Sequence, residues 1–174
     1  PSLAGKGAKR GGKTIMTRIP EILRKEQLPP DQQYAFDEVV SVYNGRVVGP
    51  FRVLLHSPEL ARRVCQIGAF LRLESPLPHS VRELAIIAVS RELDAPYEWM
   101  AHENGARRAG VREEAIDAVR NGKTEGLSQE EALVVGFVHD LLRLNRAPEA
   151  TFNALLARYG AQGITELIGT IGFY

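Results

Sequence analysis

The sequence predicts an all-α orthogonal bundle of about eight helices, and three observations lead there. Apolar residues recur at three- and four-residue spacing, and no stretch but one offers a period of two. Helix start and stop residues punctuate the chain at regular intervals: Ser57-Pro58-Glu59, Ser128 with Glu131, Pro148, Gly110 and Gly160. An unbroken apolar run, Leu84 to Val89, is flanked by charge, which suits a helix covered on nearly all sides and therefore central.

The elements follow in order. Pro29-Pro30 marks a break, after which Asp31 to Tyr43 reads as a helix. Asn44-Gly45 could close a hairpin between VVSVY and RVVG, but a helix, a Gly/Pro loop and a short helix fit the rest of the chain better. Ser57-Pro58-Glu59 opens a helix to about Leu73, with Leu60, Val64, Ile67 and Leu71 as its expected buried stripe. Cys65, beside that stripe, reads as a small buried hydrophobe. Two consecutive helices span Arg82 to Gly110, the second with Asp94 as N-cap, Pro96 in its first turn and Gly110 as its stop. A short helix runs from Arg112 to about Arg120, and the Ser128–Glu131 capping box opens another to about Asn145. Pro148 begins the next, with Phe152, Leu155, Leu156 and Tyr159 as its apolar face and Gly160 at its end. The last segment, Ile164 to Tyr174, is apolar and uncapped, so it reads either as truncated or as packed against another subunit.

The 174 residues suggest one domain, 17–174, after a basic tail at 1–16 that has no apolar period and reads as disordered, in part foreign to the natural chain. Met16, just before Thr-Arg-Ile-Pro, reads as a natural start. Lys6, Lys9, Arg10 and Lys13 lie in that tail; without them 18 basic residues face 21 acidic ones, so the body gives no electrostatic reason to bind nucleic acid. Gly7 to Thr14 satisfies the phosphate-loop pattern, but it lacks the preceding strand and following helix that such a loop needs. One cysteine allows no intramolecular disulfide, no apolar stretch approaches the roughly 20 residues of a membrane helix, and a cytoplasmic protein is expected.

One group of residues suggests chemistry. Glu98 and His102 are four apart on one helix and share a face, with Ala101, Gly105 and Ala109 leaving room beside the imidazole. Glu83 stands at the mouth of the helix before. Each has a plain structural reading: Glu83 as the N3 member of a capping box from Ser80, Glu98 as a first-turn acid, His102 as a satisfied core histidine.

The spacing also resembles that of a family. Glu83, eleven residues, Ala95, two, Glu98, three, His102 is similar to the carboxymuconolactone decarboxylase family, whose fold is shared with the alkylhydroperoxidase AhpD. In the peroxidase branch, cysteines stand where this chain has Ala95 and Glu98; YEWMAH followed by ARRAGV looks like the non-thiol branch. The resemblance extends from GRVVGPFRVLLHSPELA to GTIGFY and implies an AhpD-like bundle, a homo-oligomer (trimer or hexamer) and a small-molecule substrate of aromatic-compound catabolism. Peroxide reduction needs a thiolate and a resolving thiol, which Ala95 and Glu98 cannot supply.

What the resemblance implies instead is decarboxylation with no cofactor and no metal. His102 would be the general acid/base, Glu98 and Glu83 its assistants, and Arg46, Arg82 and His56 the substrate-binding side chains. His79 reads as exposed. Two other readings stay open: a metal site of Glu83, Glu98, His102 and His56, and a non-catalytic binding or assembly protein.

Overall fold

Helices account for all regular structure in residues 18–174, which are the residues described by the structure, a computed structural model. The basic tail, Met16 and the Gly7–Thr14 pattern lie outside them. Eight α-helices occur among the described residues: α1 Gln33–Val42, α2 Phe51–Leu54, α3 Pro58–Leu73, α4 His79–Glu92, α5 Pro96–Arg108, α6 Glu113–Asn121, α7 Gln129–Leu144 and α8 Glu149–Phe173. No strand is found there, so VVSVY is the end of α1 and not half of a hairpin.

The chain divides into two compact units, one ending at Ile67 and one running Gly68–Tyr174. The first holds α1, α2 and most of α3, around Val39, Phe51, Leu55, Ala61 and Cys65. Cys65 is fully buried, as its neighbourhood in the sequence suggested. The stripe expected on α3 is met in part, since Leu71 is buried and Val64 half-buried. Leu60 and Ile67 are about half exposed, at 50% and 53%, while Ala61, Cys65, Gly68 and Leu71 are buried. Both sets satisfy helical spacing, and over the first three turns the narrow Ala61, Cys65 and Gly68 occupy the inner face, because close packing selects for volume as well as for hydrophobicity.

In the second unit α4 is the axis. Every residue from Val81 to Ser90 is buried, and α5, α6, α7 and α8 all pack on it. Ile87, Ile116, Phe137, Leu155 and Leu167 meet in one core. The α7 capping box forms as expected: the Ser128 hydroxyl accepts from the Glu131 amide at 3.3 Å, and the Glu131 carboxylate accepts from the Ser128 amide at 2.7 Å. Gly160 adopts φ 69°, ψ 176°, a conformation closed to other residues, and breaks α8 into two helical halves.

Three sequence expectations are corrected here. The N-cap of α5 is Ala95, while Asp94 takes a left-handed φ of 49° in the turn; Pro96 at N1 sets the start without help from a capping side chain. Helix α4 begins at His79 with Pro78 as N-cap, which places Ser80 and Glu83 inside the helix and rules out the Ser80–Glu83 capping box. The apolar end of the chain is not left bare, since Ile164, Leu167 and Ile171 are buried in the core of their own unit.

Candidate functional site

Glu83 lies in the second turn of α4, where the helix is enclosed by its neighbours, and its side chain is only 7% exposed. A carboxylate so placed needs hydrogen-bond donors. His102 of α5 supplies one, with Nδ1 at 3.0 Å from Glu83 Oε2. An ionised carboxylate only accepts, so Nδ1 carries the proton and Nε2 faces outward from the pair. On that other side Glu98 Oε2 stands 3.8 Å from Nε2. The imidazole thus lies between two carboxylates, one buried and hydrogen-bonded, the other at ion-pair distance.

Gly105 explains how the two helices approach this closely. A methyl group there would sit 2.9 Å from Glu83 Oε2. The space that Gly105 was expected to leave beside the imidazole is therefore occupied by the Glu83 carboxylate. On another part of α5, the Trp99 indole donates to Glu103 at 2.8 Å, and Glu103 is held in turn by Arg107 and Arg120 at 2.8 and 2.5 Å. Of these, only the Arg120 contact joins α5 to another helix, α6.

Burial pushes the Glu83 carboxyl up, but the His102 hydrogen bond and the positive charges of His102, His79 and Arg82 outweigh it, leaving a net position below the usual carboxylate range. Glu83 is therefore held as an anion by its neighbours, and its charge is tied to the imidazole.

Three residues at the site were not foreseen. His79, expected as merely exposed, is exposed, yet its Nε2 lies 3.5 Å from Glu83 Oε1; the four-residue spacing His79–Glu83 was the available signal. The Tyr174 ring meets the His102 ring edge-on, centroids 4.9 Å apart, which nothing in the sequence signals. Arg72, in the last turn of α3, acts on Arg82 through space. Of the residues singled out in the sequence, Glu83, Glu98, His102 and Arg82 lie in the second unit. His56 and Arg46 belong to the first, where both are exposed and His56 Nε2 is hydrogen-bonded to the Pro20 carbonyl at 2.7 Å.

Two clefts of about 450 and 470 Å³ open elsewhere on the second unit. One is bounded by Ser90, Pro96, Trp99 and Arg120, the other by Val81, Leu84, Arg112 and Glu131. Neither is lined by His102 or its carboxylates. Among the described residues no group of three or more His, Cys, Asp or Glu side chains is arranged to hold a metal ion.

The unit is all-helical, with a glutamate from one helix hydrogen-bonded to a histidine from the next and no cysteine pair beside them, as in the non-thiol branch that the sequence resembles. Residues 58–132, from the start of α3 into the first turn of α7, match the model of the carboxymuconolactone decarboxylase family, and that stretch holds Glu83, Glu98 and His102. Neither the curated proteins nor the solved structures gave a match.

Proposed function

We propose that the chain is a carboxymuconolactone decarboxylase-like lyase, acting without a cofactor on a small unsaturated carboxylated lactone or related acid. The observation that carries this reading is the 3.0 Å contact between His102 Nδ1 and the buried Glu83 carboxylate. Glu83 fixes the ring by accepting from Nδ1, so that Nε2 is the nitrogen that exchanges protons with substrate. In the reaction the bond to the departing carboxylate breaks heterolytically. Its electron pair delocalises onto the conjugated carbonyl, carbon dioxide leaves, and His102 Nε2–H delivers a proton to carbon. One proton is then taken up from solvent to restore the imidazolium. Glu98 stabilises the positive charge on the Nε2 side. Arg82 is proposed as a substrate-binding side chain because it adjoins Glu83 in the same unit.

The test is turnover of carboxymuconolactone and related lactone acids in D2O. Release of carbon dioxide with one deuterium in the product is expected, together with loss of both in His102→Gln. Saturable ligand binding across that panel with no conversion would favour a non-catalytic binding protein on the same scaffold. We also infer a homo-oligomer, a trimer or a multiple of it. With the apolar end of α8 buried in its own unit, that inference rests on the family resemblance, and light scattering that returns the 19.2 kDa monomer would overturn it.

A further inference from the structure

The two clefts of the second unit differ in how their charges are satisfied. In the one bounded by Val81, Leu84, Arg112 and Glu131, each charged side chain has a partner: Arg112 pairs with Glu131, and Glu130 with Arg158. The cleft at the junction of α4 and α5 is different. Its lining includes Arg91, at the end of α4, and Asp94, in the turn that follows. Arg120, the other charge there, is taken by Asp117 and Glu103. Among the described residues neither Arg91 nor Asp94 has an ion-pair partner within 4.0 Å, so the two do not pair with each other. Both are nevertheless held in place. Arg91 Nε donates to the Arg120 carbonyl at 2.9 Å, and among the described residues its two Nη groups make no hydrogen bond. Asp94 has a left-handed φ of 49°, and its amide donates to the Arg91 carbonyl at 3.4 Å. Much of the remaining wall is apolar, from Ala95, Pro96, Trp99 and the 57% exposed Met100. The Trp99 ring is steadied by its bond to Glu103 at 2.8 Å and by the Arg120 guanidinium, 5.5 Å from the ring centre.

Two opposite charges on one wall, kept apart and set beside an apolar surface, match a ligand with both charges of its own and an apolar body. We propose that this cleft binds a small zwitterion of that kind, an α-amino acid with a large apolar side chain. The Nη edge of Arg91 takes the carboxylate, because its two N–H groups match the spacing of carboxylate oxygens. Asp94 takes the ammonium. The side chain lies against Trp99, a rigid flat face, and Met100, whose flexible thioether adapts to several shapes. A volume of about 450 Å³ suits a small-molecule site. An acid without the amine would set its carboxylate beside an uncompensated Asp94, and an amine without the carboxylate would do the same at Arg91. His102, Glu83 and Glu98 do not line this cleft, so the binding does not depend on the acid–base reading of His102.

The experiment is isothermal titration calorimetry with L-phenylalanine, L-leucine and glycine, beside phenylpropionate and phenylethylamine, which each keep only one of the two charges. Saturable binding of L-phenylalanine and L-leucine is expected, with glycine and both single-charge analogues at least about tenfold weaker. Asp94→Asn suits the left-handed φ and should leave the melting temperature unchanged. It should weaken L-phenylalanine about tenfold while phenylpropionate binds as before or slightly tighter. Arg91→Gln should weaken L-phenylalanine by a similar factor and leave phenylethylamine unchanged. Losses that follow the matching charge of the ligand in this way do not arise from a general disturbance of the fold. His102→Gln should bind L-phenylalanine as the wild type does. Absence of saturable binding of either apolar amino acid up to about 10 mM would overturn the site. So would single-charge analogues that bind as tightly as L-phenylalanine, binding that is indifferent to Asp94→Asn, or binding lost in His102→Gln.

Discussion

Two glutamates of α4 each face a histidine of another helix, Glu83 near its beginning with His102 of α5 and Glu92 at its end with His139 of α7. They differ in which donor satisfies the carboxylate. Arg143 grips Glu92 with Nε and Nη2, both at 2.6 Å, while His139 Nε2 stays 3.7 Å away. Arg143 is the main reason the Glu92 carboxyl lies below its usual range. His139 is then a bystander, pushed down by burial and by Arg143, against the pull of Glu92 and Asp140. At Glu83 the close donor is the imidazole itself, and the Nε of the neighbouring Arg82 has no hydrogen-bond partner. A carboxylate closed by a bidentate arginine is a structural tie, whereas one left to an imidazole is coupled to the protonation of that imidazole.

The largest expected effect separates the two pairs outright. Glu83→Gln and His102→Gln should each lower turnover by about 100- to 10,000-fold, the range for loss of positioned proton transfer. Glu92→Gln and His139→Gln should leave it within about twofold of wild type, as expected for residues outside the proton-transfer unit. Steady-state rates for the four variants settle it, and comparable losses from both pairs would erase the distinction drawn here.

A smaller effect probes the spacing. Gly105→Ala brings a methyl to 2.9 Å from Glu83 Oε2, so the carboxylate must move away from His102. Alanine favours the helix over glycine by up to about 1 kcal/mol, which offsets the crowding. Turnover should fall about tenfold while Tm shifts by no more than about 2–4 °C. A variant with full activity would show that the close approach of α4 and α5 is dispensable.

Glu98→Gln should have a milder consequence than Glu83→Gln, because its carboxylate stands 3.8 Å from Nε2 and is not hydrogen-bonded to it. A loss of about tenfold or less is expected, with an unchanged melting temperature. A loss as deep as that of Glu83→Gln would make Glu98 the principal partner of His102.

The smallest effect is a pH dependence of stability. His139 binds its proton less readily in the folded chain than in the unfolded one, where the pKa is about 6.5. Between the lowered folded value and about 6.5 the unfolded state holds more protons, so this contribution to stability is present above that window and lost as pH falls through it. Glu83 and Glu92 act in a lower window. Their depressed pKa values contribute stability above the unfolded value of about 4.3, and that contribution is lost as pH falls through the folded ones. His139→Gln should flatten the slope of Tm just below pH 6.5, and Glu92→Gln should flatten only the more acidic part. Melting curves across the two ranges would show whether the bystander titrates as described.

Much of this was legible in the chain because it is local. The starts of α3 and α7, the break at Gly160, the burial of Leu84 to Val89 and the shared face of Glu98 and His102 all follow from caps, backbone freedom and spacing within a few residues. The non-thiol character follows from Ala95 and Glu98 alone. Only the tertiary structure decided which side of α3 is inside, since the stripes of Leu60 and Ala61 have the same period and differ in volume. The same holds for the partner of His102. Glu98 is four residues from it and Glu83 nineteen, yet the distant carboxylate makes the hydrogen bond. Its reach depends on Gly105, which lets α5 close on α4, and on the depth of α4, which leaves Glu83 only 6% exposed. Sequence spacing determines which side chains lie on one helix face; the packing of two helices decides which of them meet.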